Sequence, residues 1–293
     1  MKNMMNSELV TNEQGCVYHL NLMSEHLADT VILVGDPSRV KMISSHFDSI
    51  EVERSNRELL THTGYVGGKK ISVISTGMGT DNIDIVMNEL DILANFDLRN
   101  KTLRDEKKSL NIIRVGTCGS LQADIRTGSV VMTHYVLGLD GLLHFYQCDE
   151  DVFERELSDK FMDYMSWDDN LPAVYAVRGS DSLENLVDGD WVRKGITLTA
   201  PGFYGPQGRN IRLRSIYPDI GEKVSGFVYD DYKIANFEME SSAIFGLGKA
   251  MGHNTLTLCL VIANRITGDF LADYHAQMDE LISRLLAKLT AGI

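Results

Sequence analysis

Four places in the chain set glycine, arginine, hydroxyl or carboxylate side chains directly after a short apolar run. In open α/β sheets ligands bind there, beyond the carboxyl ends of the strands. The first reads Gly35-Asp36-Pro37-Ser38-Arg39-Val40. Its glycine lets the backbone approach an anion, Pro37 can open a helix at its first position, and Arg39 falls about a turn further in. The second, Thr76-Gly77-Met78-Gly79, opens like a dinucleotide fingerprint, but position 82 is Asn rather than Gly and no Walker Lys-Ser/Thr pair follows. A nicotinamide dehydrogenase gains little from it. The third is Arg114-Val115-Gly116-Thr117-Cys118-Gly119-Ser120. An arginine inside an apolar strand is costly unless it is paired or holds an anion. Thr117 and its glycines offer a hydroxyl and N–H groups to phosphate oxygens; a buried structural Arg–carboxylate pair is the other reading. The fourth, Phe237-Glu238-Met239-Glu240-Ser241, sets two carboxylates where a strand turns into a helix. They suit vicinal sugar hydroxyls, or they bias a helix N-terminus electrostatically.

The elements that must hold these residues alternate. Short runs rich in β-branched residues at 30–34, 71–76, 112–115, 129–136, 174–178, 195–199, 236–239 and 256–263 read as strands. Helical period is clearest over 82–95, 241–251 and 274–289. That order is the pattern of an α/β fold, and several strands are apolar on both faces, as central strands covered by helices are. No repeat and no Pro/Gly/Ser linker divides the chain, so residues 1–293 read as one domain. The densely charged stretch at about 97–109 reads as a solvated surface insertion.

Composition narrows the function classes. The 28 Lys+Arg stand against 41 Asp+Glu, a net charge of −13. So acidic a chain lacks the attraction that dominates binding to nucleic acid or anionic membranes. If it binds phosphate, positive charge must be gathered into a pocket. The longest apolar run, 256–263, falls well short of a membrane span, and the N-terminus carries no secretory h-region. Cys16, Cys118, Cys148 and Cys259 form no CxxC pair; Cys118 and Cys259, in apolar runs, read as buried free thiols. Together these features predict a reduced, cytoplasmic protein.

The motifs GDPSRV, STGMG, RVGTCGS, Phe203-Tyr204-Gly205-Pro206-Gln207-Gly208-Arg209 and FEMES occur in the order seen in the nucleoside phosphorylase-I family. The resemblance runs from about His19 to the C-terminal helix, with 97–109 as its main departure. It is closest to the pyrimidine branch, the uridine phosphorylases, whose Gln-x-Arg pair after an aromatic matches Gln207 and Arg209. Asn264-Arg265 stands where purine phosphorylases and related nucleosidases usually carry a Ser-Asp type acid.

The resemblance implies a single-domain three-layer α/β sandwich with a central mixed sheet flanked by helices. It implies reversible phosphorolysis of uridine to uracil and ribose 1-phosphate, with phosphate as co-substrate and no other cofactor. By the same carry-over, phosphate would be held by Gly35, Arg39, Arg114 and Thr117, with Arg57 from a neighbouring subunit. Ribose would meet Glu238, Met239 and Glu240, with His19 from the partner chain. Uracil would meet Phe203, Gln207, Arg209 and Arg265, and catalysis would rest on Arg114, Gln207 and Arg209. A homodimer, or a hexamer built from dimers, would share its sites between chains. Family members can hold a monovalent cation through a glutamate matching Glu58; the residue matching a second, serine ligand is Asn82. A purine nucleoside phosphorylase, a same-fold nucleoside hydrolase and a non-catalytic nucleoside-binding protein are the competing readings.

Overall fold

The apolar runs are strands of one 11-stranded mixed sheet in the computed structural model, which describes Met4, Met5 and residues 7–292. The first half lays down β1 (Thr30–Val34), α1 (Pro37–Ser44), β2 (Ser49–Asn56), β3 (Leu59–Val66), β4 (Lys69–Ser75) and α2 (Thr80–Asn95). A separate hairpin, β5 (Phe96–Asp97) and β6 (Thr102–Leu103), leads into the long strand β7 (Asn111–Ser120). Next come β8 (Val130–Gly138), α3 (Arg155–Met165), β9 (Tyr175–Arg178), α4 (Asp181–Val187) and β10 (Val192–Thr199). The chain finishes with α5 (Ile220–Ser225), β11 (Val228–Tyr229), β12 (Tyr232–Glu238), α6 (Ser241–Ala250), β13 (Asn254–Asn264) and α7 (His275–Gly292).

Strand alternation decides where the helices sit. Val31 and Leu33 of β1 pack with Ile83, Val86 and Met87 of α2 and with Ile244 and Phe245 of α6. Ile32 and Val34 face the other way, onto Val40 and Ile43 of α1, Leu183 of α4 and Leu285 of α7. The result is the three-layer arrangement expected from the sequence. In β7, Ile112 belongs to the α2/α6 side and Ile113 and Val115 to the other. The period of two therefore aims Arg114 toward α2 and α6.

A closed ring is the feature that the sandwich expectation lacked. β7, β13, β8, β10 and β12 pair in sequence, and the last residues of β12 return to the last residues of β7, Asn236 opposite Ser120 and Phe237 opposite Gly119. The cluster of Cys118, Ile125, Val131, Ala235, Cys259 and Val261 draws its strand members from β7, β8, β12 and β13, with no helix residue among them. Closure brings together the carboxyl ends of β7 and β12, the two that carry the RVGTCGS and FEMES motifs.

Three sequence expectations need correction. The strand read as 112–115 continues to Ser120, paired with β13 throughout, because Gly116 and Gly119 are ladder positions rather than a loop. The glycines around Thr117 thus serve close packing instead of offering a free run of N–H groups. The β2–β3 hairpin and α3, α4 and α5 carry too short or too polar a pattern to have been read. The charged insertion is only partly solvated: residues 104–109 are exposed, whereas 97–103 belong to a hairpin whose Lys101 Nζ donates to Leu9 O at 2.8 Å.

Candidate active site

Helix α1 begins as its sequence dictates. Pro37 sits in the first turn, and Asp36 caps the helix by accepting from Ser38 N at 2.8 Å and Ser38 Oγ at 2.6 Å. This buries Arg39 to 8% exposure, with Nη1 only 3.4 Å from Val115 O and no ion pair among the described residues. Burial lowers its pKa and the like charge of Arg114 adds to this, against the opposing influence of Tyr274 and Asp36. Arg39 is a buried cation with no carboxylate in ion-pair contact among the described residues.

Arg114, 5% exposed, is placed differently. Its Nη2 donates to Glu240 Oε2, and its Nη1 donates to Cys259 Sγ at 3.1 Å and lies 3.5 Å from Glu238 Oε2. Burial alone would depress the guanidinium; Glu240, Cys259 and Glu238 reverse the sign and hold its pKa above the ordinary arginine value. Gly116 makes this fold-back geometrically open, since a Cβ there would stand 1.9 Å from Arg114 Nη1. The Arg–carboxylate pair is therefore present, next to a second arginine that has none.

The two carboxylates of FEMES divide their work. Glu238 accepts from Thr199 Oγ1 at 2.5 Å, Glu240 N at 3.0 Å and Ser241 N at 2.9 Å. It is consumed in starting α6, and burial pushes its carboxyl up. Glu240 instead bridges Arg114 and Gly79 N, the latter at 2.8 Å. It ties the STGMG loop to the ring, while Met239 between the carboxylates and Thr117 on β7 are half-buried. Gly35 lies against the same loop, where a Cβ would come 3.4 Å from Gly77 O.

Beyond β10 lies the aromatic loop. A short 3₁₀ turn over Gly205–Gln207 ends at Gly208, whose φ of +72° suits a residue without Cβ. Arg209 stacks on the Phe203 ring, 3.7 Å from its centroid, and its Nη1 donates to Phe203 O at 2.6 Å and Gln207 Oε1 at 2.7 Å. Arg265 Nη2 donates to Gln207 O at 2.9 Å, while its Nη1 is buried without a hydrogen-bond partner. Burial lowers the pKa of both arginines; in Arg209 the charge of Arg265 helps bring it to about 10. Asn264 is saturated, donating to Gln122 O and Ile125 O and accepting from Ile266 N and Thr267 N. It fastens the strand end that delivers Arg265.

Among the described residues, His19 and Arg57 make no hydrogen bond or ion pair with Arg39, Arg114 or the aromatic loop. Arg57 lies exposed in the β2–β3 turn at φ +53° and, among the described residues, has no hydrogen bond or ion pair. Asn56 Nδ2, next to it, donates to Tyr18 O and His19 O at 3.1 and 3.0 Å, so both residues emerge from one patch. Asn82 Nδ2 donates to Glu58 Oε1 at 3.4 Å. An amide donor thus meets Glu58, the residue matching the glutamate through which family members can hold a cation.

The sequence reading left Thr199 out of the site and named Gly79, Gly116 and Cys259 without the roles they take here. Only Gly116 carried a signal, as a glycine two residues after a strand arginine on the same face. The others act through register and a backbone N–H, which residue type does not announce.

The sequence matches the phosphorylase superfamily over residues 29–293. It is 29% identical over 269 residues to a uridine phosphorylase of Thermococcus kodakarensis, covering 90% of this chain and 83% of that one. Against a DeoD-type purine nucleoside phosphorylase of Clostridium novyi it is 28% identical over 254 residues, 86% of this chain and 89% of the other. In three dimensions it resembles a Trypanosoma brucei nucleoside phosphorylase that shows uridine phosphorylase activity, with a TM-score of 0.83 at 25% identity, over 97% of this chain and 100% of that one. Fold, motif order and a match across nine-tenths of the chain agree: the chain belongs to the phosphorylase superfamily.

Proposed function

We propose that the chain is a uridine phosphorylase acting as one phosphorylase domain, cleaving uridine reversibly to uracil and ribose 1-phosphate. The observation that carries this reading is Arg39, a buried cation beside Arg114 with no carboxylate in ion-pair contact among the described residues. A ligand anion there would supply what the protein withholds, and phosphate fits two guanidiniums and the Thr117 hydroxyl. Glu240, on the other side of Arg114, and Met239 would face the ribose. Cleavage of the glycosidic bond builds positive charge on the sugar and sends the electron pair of the C1′–N1 bond to uracil. The phosphate dianion faces that cation, then forms the new C1′–O bond. Its contribution is electrostatic and positional, and the attack requires no general base. Gln207, Arg209 and Arg265 would take the negative charge that develops on the uracil carbonyl oxygens and N3.

Relatives of both base specificities match this chain, so the pyrimidine assignment rests on the base loop. Two guanidiniums with no carboxylate partner among the described residues suit a departing uracil anion. A purine phosphorylase would want an acid for N7 where Asn264 has no proton-donating capacity left. A hydrolase would need no buried arginines. The test is cleavage of uridine, thymidine and inosine with and without phosphate. Uridine turnover that depends on phosphate and exceeds inosine turnover is expected; equal rates in phosphate-free buffer would mark a hydrolase, and faster inosine cleavage a purine enzyme.

Arg57 and His19 support a site shared between chains, because they leave their own chain from one patch beside an edge strand, β2, that is exposed along most of its length. Mixing Arg57→Ala with Arg209→Ala tests this. Each variant alone is expected to be nearly inactive, and each mixed dimer to recover about half of wild-type activity by two-fold symmetry. No recovery in verified heterodimers would place Arg57 in its own chain's site.

A further inference from the structure

The Glu89 carboxylate of α2 is buried, and its charge is directed at one short segment of the N-terminal arm. It accepts from His19 N at 2.9 Å, from Leu20 N at 2.7 Å and from the His19 ring at Nδ1, also at 2.7 Å. A carboxylate that takes two backbone N–H groups has no proton of its own to offer the ring, so Nδ1 bears the hydrogen. In the neutral ring Nε2 is then the bare nitrogen, and it makes no hydrogen bond among the described residues although the His19 side chain is 30% exposed. Asn56 fixes the backbone on the other side through Tyr18 O and His19 O. Backbone and ring orientation, and the tautomer, are thus all set before any ligand arrives.

We propose that Glu89 is a positioning residue for nucleoside binding: it holds His19 as the Nδ1–H tautomer so that Nε2 accepts a hydrogen bond from a ribose hydroxyl of the neighbouring subunit's substrate. This rests on the shared-site reading above and extends it to a residue that touches no substrate. A metal-ligating or purely packing role would not require the ring and the two N–H groups to converge on one carboxylate.

The test compares Glu89→Gln, His19→Ala and the double variant. In Glu89→Gln the single amide oxygen is claimed by the two backbone N–H groups, which turns the NH₂ toward Nδ1 and moves the ring proton to Nε2. Nitrogen-15 NMR of the imidazole, assigned with His19→Ala, is expected to show that exchange. The KM for uridine is expected to rise roughly five- to tenfold, the loss of about one neutral hydrogen bond, while the KM for phosphate stays within twofold. His19→Ala should match it, and the double variant should be no worse than His19→Ala. An unchanged tautomer in Glu89→Gln overturns the proposal, as does an unchanged uridine KM in Glu89→Gln when His19→Ala raises it; uridine phosphorolysis itself then still stands. An unchanged KM in His19→Ala removes His19 from the ribose site and the inference with it.

Discussion

The two ends of the site are built in opposite ways. At the proposed anion end the charged groups are carried by a strand interior, a strand end and the first turn of a helix, and Arg39, Arg114 and Glu240 are almost fully buried. At the proposed base end the groups ride on a loop, Phe203 is 50% exposed, and the aromatic, amide and guanidinium side chains hold one another. The first end is fixed by sheet register before a ligand binds; the second is held by a few local contacts. Within the anion end there is a further contrast: Arg114 is compensated by carboxylates and Arg39 is not. Positive charge in excess of its partners is what a phosphate can answer.

Breaking the compensated pair is expected to have the largest effect. Arg114→Ala leaves Glu238 and Glu240 buried and unpaired, a loss of about 3–5 kcal/mol. A fall in kcat/KM of roughly a thousandfold should come with a clear drop in Tm; activity within twofold of wild type would return Arg114 to a structural role. Arg39→Ala separates function from stability. Phosphate kcat/KM should fall roughly ten- to a hundredfold, yet Tm should hold or rise, because an uncompensated buried charge is removed. A fall in both would mean that the Arg39 contacts with Val115 O and Tyr274 outweigh the cost of burying its charge.

Gly116→Ala sharpens the account of how register places Arg114. Its Cβ would occupy the guanidinium's position, so phosphate KM should rise about tenfold or more, with a uridine KM that moves less. An unaltered phosphate KM would show that Arg114 has room elsewhere. Arg209→Ala is expected to be the mildest for stability: uridine turnover is nearly lost, while phosphate binding and Tm stay near wild type. A large Tm change would contradict the picture of a loop held by its own contacts.

These contrasts also explain what could be read from the residues alone. Layer order followed from the apolar runs, since Val31 and Ile32 point to opposite faces and each needs a cover of helices. Arg39 followed from Pro37 and the strand before it. For Arg114 the sequence left two alternatives, an anion site or a carboxylate pair, and the structure shows the pair together with an adjacent unpaired arginine. Ring closure was not legible, because Asn236–Ser120 and Phe237–Gly119 are distant pairings that no local pattern encodes. Glu238 and Glu240 look equivalent in FEMES; only Thr199, 39 residues away, separates the helix-starting carboxylate from the one facing the site.

The central claim is that the uncompensated charge of Arg39, next to Arg114, binds phosphate. Calorimetric titration of inorganic phosphate into wild type and Arg39→Ala, without nucleoside, tests it most directly. The account predicts one phosphate bound per chain in wild type and binding weakened at least about tenfold in the variant. Equal binding by both proteins, or none by wild type, would contradict it.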